Sequence, residues 1–216
     1  MAFGHSVINR EGTMRLYFSP GACSLAPHII LRELGGHFDL DLVDLTAKKT
    51  AEDKDFLAIN PKGYVPVLQL DDQQILTEGP AIMQYLADRA PEKGLAPAPG
   101  TMARYRLVEA MNYISSEIHK TFTPLFGENT PEETQQTYRA TLTRRIEIVE
   151  ARLKQADYFV GEHFTIADAY LFTTLSWSRY IKFDLSPWPA VTAYLERIAQ
   201  RASVHDAMAA EGLIKE

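Results

Sequence analysis

A short apolar strand turns directly into a helix at Phe18-Ser19-Pro20-Gly21-Ala22-Cys23-Ser24-Leu25-Ala26-Pro27, and the single cysteine of the chain stands at that bend. Met14 to Phe18 reads as strand. Leu25, Ile29, Ile30, Leu31 and Leu34 then recur at helical spacing, and Gly35-Gly36 stops the helix. Pro27 is tolerated because the first turn of a helix has no intrahelical N–H bond to lose. Phe38-Asp39-Leu40-Asp41-Leu42 follows with apolar and acidic residues alternating at period two, which predicts a strand with one face in the core. The first part of the chain is therefore α/β.

Cys23 is placed where unpaired backbone N–H groups and the helix dipole favour a negative charge. The dipole contributes about 0.3 to 1 kcal/mol, against roughly 1.4 kcal/mol per pKa unit. Alone it lowers a thiol pKa by less than one unit, and direct N–H contacts or a cation must supply more. A free cysteine is usually a small buried apolar residue. The Pro-Gly bend in front of a helix tips the balance modestly towards function.

Thr46 to Ile59 is mixed and polar, and it predicts a short irregular helix. In Asn60-Pro61-Lys62-Gly63-Tyr64-Val65-Pro66-Val67-Leu68-Gln69-Leu70, Pro61 and Gly63 mark a turn and Val67 to Leu70 a strand. Pro66 cannot donate to a sheet ladder, so it belongs at the strand's first position or at an edge. There the Val65 N–H and C=O would be free to pair with an extended backbone. Asp71-Asp72 predicts a hairpin turn and Ile75 to Thr77 its return strand. Pro80 opens a helix over Ala81 to Asp88, with Glu78 either a partial cap or a carboxylate aimed at an amine.

Ala90 to Gly100 is rich in proline, glycine and alanine, without periodicity, and is the predicted domain boundary. Beyond it every periodic segment is helical: Ala103 to Phe122, Glu132 to Ala156, Ala167 to Tyr180, Val191 to Arg201 and Val204 to Ala210. Leu107, Met111, Ile114, Ile118 and Phe122 make an apolar stripe on the first of these. Asn112, Ser116 and His119 form a second, hydrogen-bonding row beside it, with Lys120 adjacent. Thr165-Ile166-Ala167-Asp168 is a capping-box variant in which Thr165 and Asp168 have a structural role. Trp177, Tyr180 and Trp188 belong to core or groove wall.

The expected organisation is a flexible extension over residues 1–13, an α/β domain over 14–90, a linker over 91–100 and an all-α domain over 101–216. A formal charge of −6 argues against nucleic acid as the main partner, because phosphate binding needs a basic face. No apolar run approaches the roughly 18 residues of a membrane span, and the first thirteen residues lack the apolar core of a signal peptide. One cysteine makes no internal disulfide, which fits a reducing cytoplasm. No residue set has metal-ligand spacing and there is no glycine-rich dinucleotide loop, so neither metal nor bound cofactor is expected.

Ser19 to Ala26, Asn60 to Leu68, Leu76-Thr77-Glu78-Gly79 with Ala81-Ile82, Ser116-Glu117-Ile118-His119-Lys120 and Phe164 to Asp168 together resemble the bacterial beta-class glutathione S-transferases. The resemblance runs in order and spacing from Met14 to near the C-terminus. It implies an α/β thioredoxin-like N-terminal domain plus an all-α C-terminal helical domain, and a cytoplasmic homodimer with glutathione as co-substrate. In it Cys23 lies at the glutathione sulfur with His119 near, and Val65 pairs with the cysteinyl backbone before a cis Pro66. Glu78 and Gly79 hold the γ-glutamyl end and Lys48 the glycine carboxylate. Asn112, Ser116 and Lys120 complete the site, in part from the partner subunit.

The implied activity is conjugation of the glutathione thiolate to small hydrophobic electrophiles, with thiol transfer or peroxide reduction through Cys23 as a further capacity. Phe122, Tyr113 and Trp177 are candidates for the electrophile pocket. Relatives commonly carry tyrosine where this chain has Phe18, and Tyr17 faces the opposite side of the strand. Tyr64 replaces a usual glutamine, and Pro80 a small aliphatic. The alternative is a non-catalytic interaction or ligand-binding protein of the same fold. A dithiol oxidoreductase is disfavoured because Cys23-Ser24-Leu25-Ala26 lacks a second cysteine.

Overall fold

The computed structural model describes residues 13–215; apart from Thr13, the expected extension lies outside them. Five strands, β1 (Arg15–Phe18), β2 (Asp39–Asp44), β3 (Lys49–Thr50), β4 (Val67–Gln69) and β5 (Ile75–Thr77), form one mixed sheet in the order β3-β2-β1-β4-β5. The central strand β1 runs parallel to β2 and antiparallel to β4, with Leu16 opposite Leu40 on one side and Leu68 on the other. Its alternation sets the two faces. Leu16 and Phe18 enter the main core, whereas Tyr17 joins Val43, Phe56, Val65 and Val67 in a small cluster on the opposite side.

The main face is covered by α1 (Leu25–Leu34) and α3 (Gly79–Arg89), while the small α2 (Phe56–Ile59) supplies Phe56 to the other face. The segment 46–59 departs from expectation. Most of it is turn and the edge strand β3, and helix begins only at Phe56, capped by the Asp55 carboxylate on the Leu57 N–H at 3.0 Å. In β2 the simple alternation also fails. Asp41 is buried, held by Arg15 at 3.5 Å and the Ala51 N–H at 3.3 Å, while Leu42 is 44% exposed. Burial there passes to Val43, on the face that meets Tyr17 and Val67.

The helical half contains α4 (Met102–Tyr113), α5 (Lys120–Phe122), α6 (Glu132–Leu153), α7 (Ile166–Ser176), α8 (Pro189–Ala199) and α9 (Ala202–Ala210). Every residue of α7 from Ile166 to Leu175 is buried, so this helix is the axis of its half. The helix α1 packs against α3 within its own half and against α7 and α9 of the other, and this places Cys23 at the junction. Leu107, Met111, Ile114, Ile118 and Phe122 are all buried, as their spacing predicts.

The expected uninterrupted helix over 103–122 is not a uniform α-helix. Ile114–His119 forms a π turn between α4 and α5, and a 3-10 turn over Thr123–Leu125 follows. A π turn inserts one residue into the helical repeat, so the faces beyond it rotate. No helix among the described residues is long and apolar enough to cross a membrane.

Candidate active site

A cavity of about 1070 Å³ opens between the two halves. Its floor is made by the starts of α1 and α3 and by the loop at Val65–Pro66, a cis peptide. Its roof is the π turn, α7 and Trp177. Cys23, Val65, Pro66, Glu78, Gly79, His119, Lys120 and Trp177 all line it.

The bend before Cys23 is clamped from the helical half. Glu211 accepts the Gly21 N–H at 2.9 Å and Trp177 Nε1 donates to the Gly21 carbonyl at 2.8 Å. Gly21 has φ of +69°, and a Cβ there would come within 3.0 Å of the Tyr180 hydroxyl. Only glycine meets both demands without strain.

Cys23 is partly exposed, but its sulfur stands against the cavity wall and donates to the Val65 carbonyl at 3.2 Å. Burial pushes the thiol up to about 12, and the negative charge of Glu78 adds to this. The N–H groups of Cys23 and Ser24 and the Lys120 cation pull the other way without overcoming it. The N–H groups at the helix start act in the expected direction but are too weak to decide the balance. In the free protein desolvation outweighs the helix end, and Cys23 is a neutral thiol at pH 7.

His119 reaches the cavity from the π turn. Its Nδ1 lies 2.7 Å from the Tyr170 hydroxyl, and its ring meets Trp177 edge to face at 4.8 Å. Burial, with Lys120 next to it, lowers its pKa to about 4, so the ring is neutral at pH 7.

Glu78 adopts φ of +71°, a conformation that costs a side-chain-bearing residue on the order of 1–3 kcal/mol. Its carboxylate makes no cap to α3. It pairs instead with Lys62 at 2.7 Å, and Lys62 also donates to the Thr77 hydroxyl at 3.0 Å. At the Val65 loop the carbonyl is taken by the Cys23 thiol, whereas the Val65 N–H makes no hydrogen bond among the described residues.

Other expected residues lie off the cavity. Lys48 donates to the Gly63 carbonyl at 2.9 Å beside the Tyr64 ring. Asn112 and Ser116 are exposed and do not line it, with the Ser116 hydroxyl donating to the Asn112 carbonyl at 3.0 Å. Ser115, four residues before His119 and so on the same helix face, lines the wall instead. Of the candidates for an electrophile pocket only Trp177 lines the wall. Phe122 is buried behind it, stacked on Phe126, which does line it, and the Tyr113 hydroxyl donates to the Arg145 carbonyl. Phe18 and Tyr17 are likewise turned into the two cores.

Lys62, Ser115, Phe126 and Tyr170 are cavity residues that sequence reasoning missed. Lys62 stood in a quoted motif as part of a turn, and Tyr170 is three residues past the capping box's Ala167. No local pattern distinguishes either from a surface lysine or a core tyrosine.

Thr165 and Asp168 lie away from the cavity and form a reciprocal box at the start of α7. The Thr165 hydroxyl accepts from Ala167 N–H at 3.3 Å, and the Asp168 carboxylate accepts from Thr165 N–H at 2.9 Å. Asp168 also accepts from the Phe159 N–H and the Tyr194 hydroxyl. No group of three or more His, Cys, Asp or Glu residues that could hold a metal occurs among the described residues.

A thioredoxin-type sheet domain joined to a helical domain, with a cysteine at the first helix start and a cis-proline loop facing it across a shared cleft, defines the class of two-domain thiol-binding proteins. The family model for the glutathione S-transferase N-terminal domain matches residues 21–89, and that for the C-terminal domain matches residues 113–202. The chain is 49% identical over 200 residues to glutathione S-transferase GstA of Escherichia coli O157:H7, covering 93% of this chain and all of that one. Two solved structures match at TM-score 0.90 and 44% identity, each over 93% of this chain and 100% of the other. One is a bacterial beta-class glutathione S-transferase of Sphingomonas chungbukensis, the other a sphingomonad glutathione S-transferase complexed with glutathione. The chain belongs to the glutathione S-transferase family, within its bacterial beta class.

Proposed function

We propose that this protein is a glutathione transferase that holds glutathione in the cavity between its halves and conjugates its sulfur to small hydrophobic electrophiles. The observation that carries the reading is the convergence, in one cavity, of two helix N-termini, the unpaired Val65 N–H and the Cys23 thiol. An anionic tripeptide finds there an extended backbone partner and two positive helix ends. The sphingomonad relative solved with glutathione supports the choice of ligand.

In this proposal Val65 pairs with the cysteinyl residue of glutathione through both N–H and C=O. Its carbonyl is now engaged by Cys23, so ligand binding releases the Cys23 S–H, which turns to the incoming sulfur as a hydrogen-bond donor. A neutral thiol suits that role, because a second thiolate would repel the one being formed. His119 stands beside it. Glu78 exchanges Lys62 for the γ-glutamyl ammonium with Gly79 adjacent, and Lys48 exchanges the Gly63 carbonyl for the glycine carboxylate. Lys120 adds positive charge at the roof.

Asn112 and Ser116 are exposed and do not line the cavity of their own chain. Their contribution is proposed to be made across a homodimer. The electrophile takes the aromatic side of the cavity, at Phe126 and Trp177. Detoxification in the cytoplasm is the setting proposed for this chemistry.

Calorimetric titration with reduced glutathione at neutral pH, followed by conjugation of an activated chloronitrobenzene, tests the reading. Saturable binding near one per chain with turnover is expected. Absence of binding would leave the fold with an interaction role instead.

A further inference from the structure

We propose that Tyr170 is the positioning residue that fixes His119 in the tautomer whose proton is on Nε2, so that the imidazole presents an N–H donor to the cavity. The inference deepens the transferase reading and rests on it for the identity of the acceptor, a thiolate sulfur.

The geometry is specific. The Tyr170 hydroxyl and His119 Nδ1 are 2.7 Å apart, with the rings edge to face at 5.8 Å. Tyr170 cannot drift from this contact: it is 3% exposed on a helix buried all round, whose start is tied by the Thr165–Asp168 box. The other ring nitrogen, Nε2, has no hydrogen-bond partner among the described residues and is not sealed from solvent. Both residues line the cavity.

A neutral imidazole carries one N–H, and the nitrogen that accepts a hydrogen bond is the one without it. Tyr170 has one proton to give. Burial raises its ionisation well above that of an ordinary phenol, so the hydroxyl stays a donor across the working pH range. His119 Nδ1 is the acceptor that lies within hydrogen-bond distance of this hydroxyl. Donation from Tyr170 to His119 Nδ1 leaves the imidazole proton on Nε2, facing the space where the sulfur of a bound thiol would lie. The opposite tautomer would put a lone pair there and repel an anion.

The groups that bear on His119 come from every element around it. Lys120 is on its own helix, Glu78 stands at the start of α3, and Cys23 is in charge range of Tyr170 at the start of α1. None of these reaches Nδ1. Tyr170 alone is within hydrogen-bond distance of it.

The test is nitrogen NMR of 15N-histidine-labelled protein without glutathione, with the His119 signals assigned by their absence in His119→Gln. The wild type should show an unprotonated, hydrogen-bonded Nδ1 and a protonated Nε2. Tyr170→Phe should show the two tautomers averaged. Its kcat for conjugation should fall about fivefold at unchanged glutathione KM, as expected for loss of one oriented hydrogen bond. A wild-type His119 protonated on Nδ1, or an unchanged tautomer in Tyr170→Phe, overturns the proposal. The wild-type spectrum decides even if the variant folds poorly. Because the tautomer is read without glutathione, failure of glutathione binding would count against the transferase reading and leave this result standing by itself.

Discussion

Glu211, in the C-terminal segment, accepts the backbone N–H of Gly21, two residues before Cys23, across 190 positions of sequence. The same carboxylate lies 2.9 Å from His28 Nδ1 in a pair whose side chains are both fully buried. The cysteine bend is thus held by the far end of the chain, and two groups in the sheet domain depend on one acceptor there. Glu211→Ala should leave the partly buried Gly21 N–H and the fully buried His28 Nδ1 without this acceptor, at about 1–3 kcal/mol. Thermal unfolding should detect a lower Tm, and glutathione KM should rise because the bend loosens. An unaltered Tm would show that the contact carries no weight.

Cys23 should behave as an unactivated thiol in the free protein. With its pKa pushed up to about 12, alkylation by iodoacetamide should keep accelerating above about pH 9, past the midpoint of an ordinary cysteine. A rate that levels off near neutrality would mean that the thiolate forms readily and that desolvation does not govern this thiol. Cys23→Ala should keep glutathione binding and lose any glutathione adduct in intact mass.

His119 should impose an acid limit on stability. Its folded pKa of about 4 lies below the ordinary histidine value, so the unfolded chain binds this proton more readily. The stability it contributes is present above roughly pH 6.5 and is lost as pH falls towards about 4. Denaturant unfolding across that window should give a shallower decline in His119→Gln than in the wild type. Parallel declines would refute the assignment.

Thr165 and Asp168 share a cap but not its weight. Thr165→Ala removes one cap oxygen and should cost about 1 kcal/mol. Asp168→Ala removes a fully buried carboxylate that also serves Phe159 and Tyr194, leaving several donors unpaired. It should cost about 2–3 kcal/mol or more. Equal shifts in Tm for the two variants would contradict the wider role of Asp168.

Lys62→Ala separates ligand chemistry from stability. Its pair with Glu78 is solvent-exposed on both sides, so loss of Lys62 should change folding stability by less than about 1 kcal/mol. If Glu78 receives the γ-glutamyl ammonium, removing the competing lysine should leave glutathione affinity the same or improve it. A large loss of affinity on calorimetric titration would instead make Lys62 a glutathione ligand.

The sequence by itself determined the elements whose signal is local. The helix from Leu25 to Leu34, the hairpin of β4 and β5, the box at Thr165 and Asp168 and the apolar stripe from Leu107 to Phe122 each rest on spacing and capping within a few residues. The motif residues also identified the fold and the floor of the cavity: Cys23, Val65, Glu78 and Gly79 line it together.

Tertiary structure alone decided what depends on how distant elements meet. Ser115 lines the cavity with His119 and Ser116 does not, which depends on how this helix is set against the sheet half. Lys62 finds Glu78, Tyr170 finds His119 and Glu211 finds Gly21 only after the chain has folded. The protonation of Cys23 belongs to the same class. A helix end can be seen in sequence, but the desolvation that outweighs it comes from the walls of a cavity built by both halves.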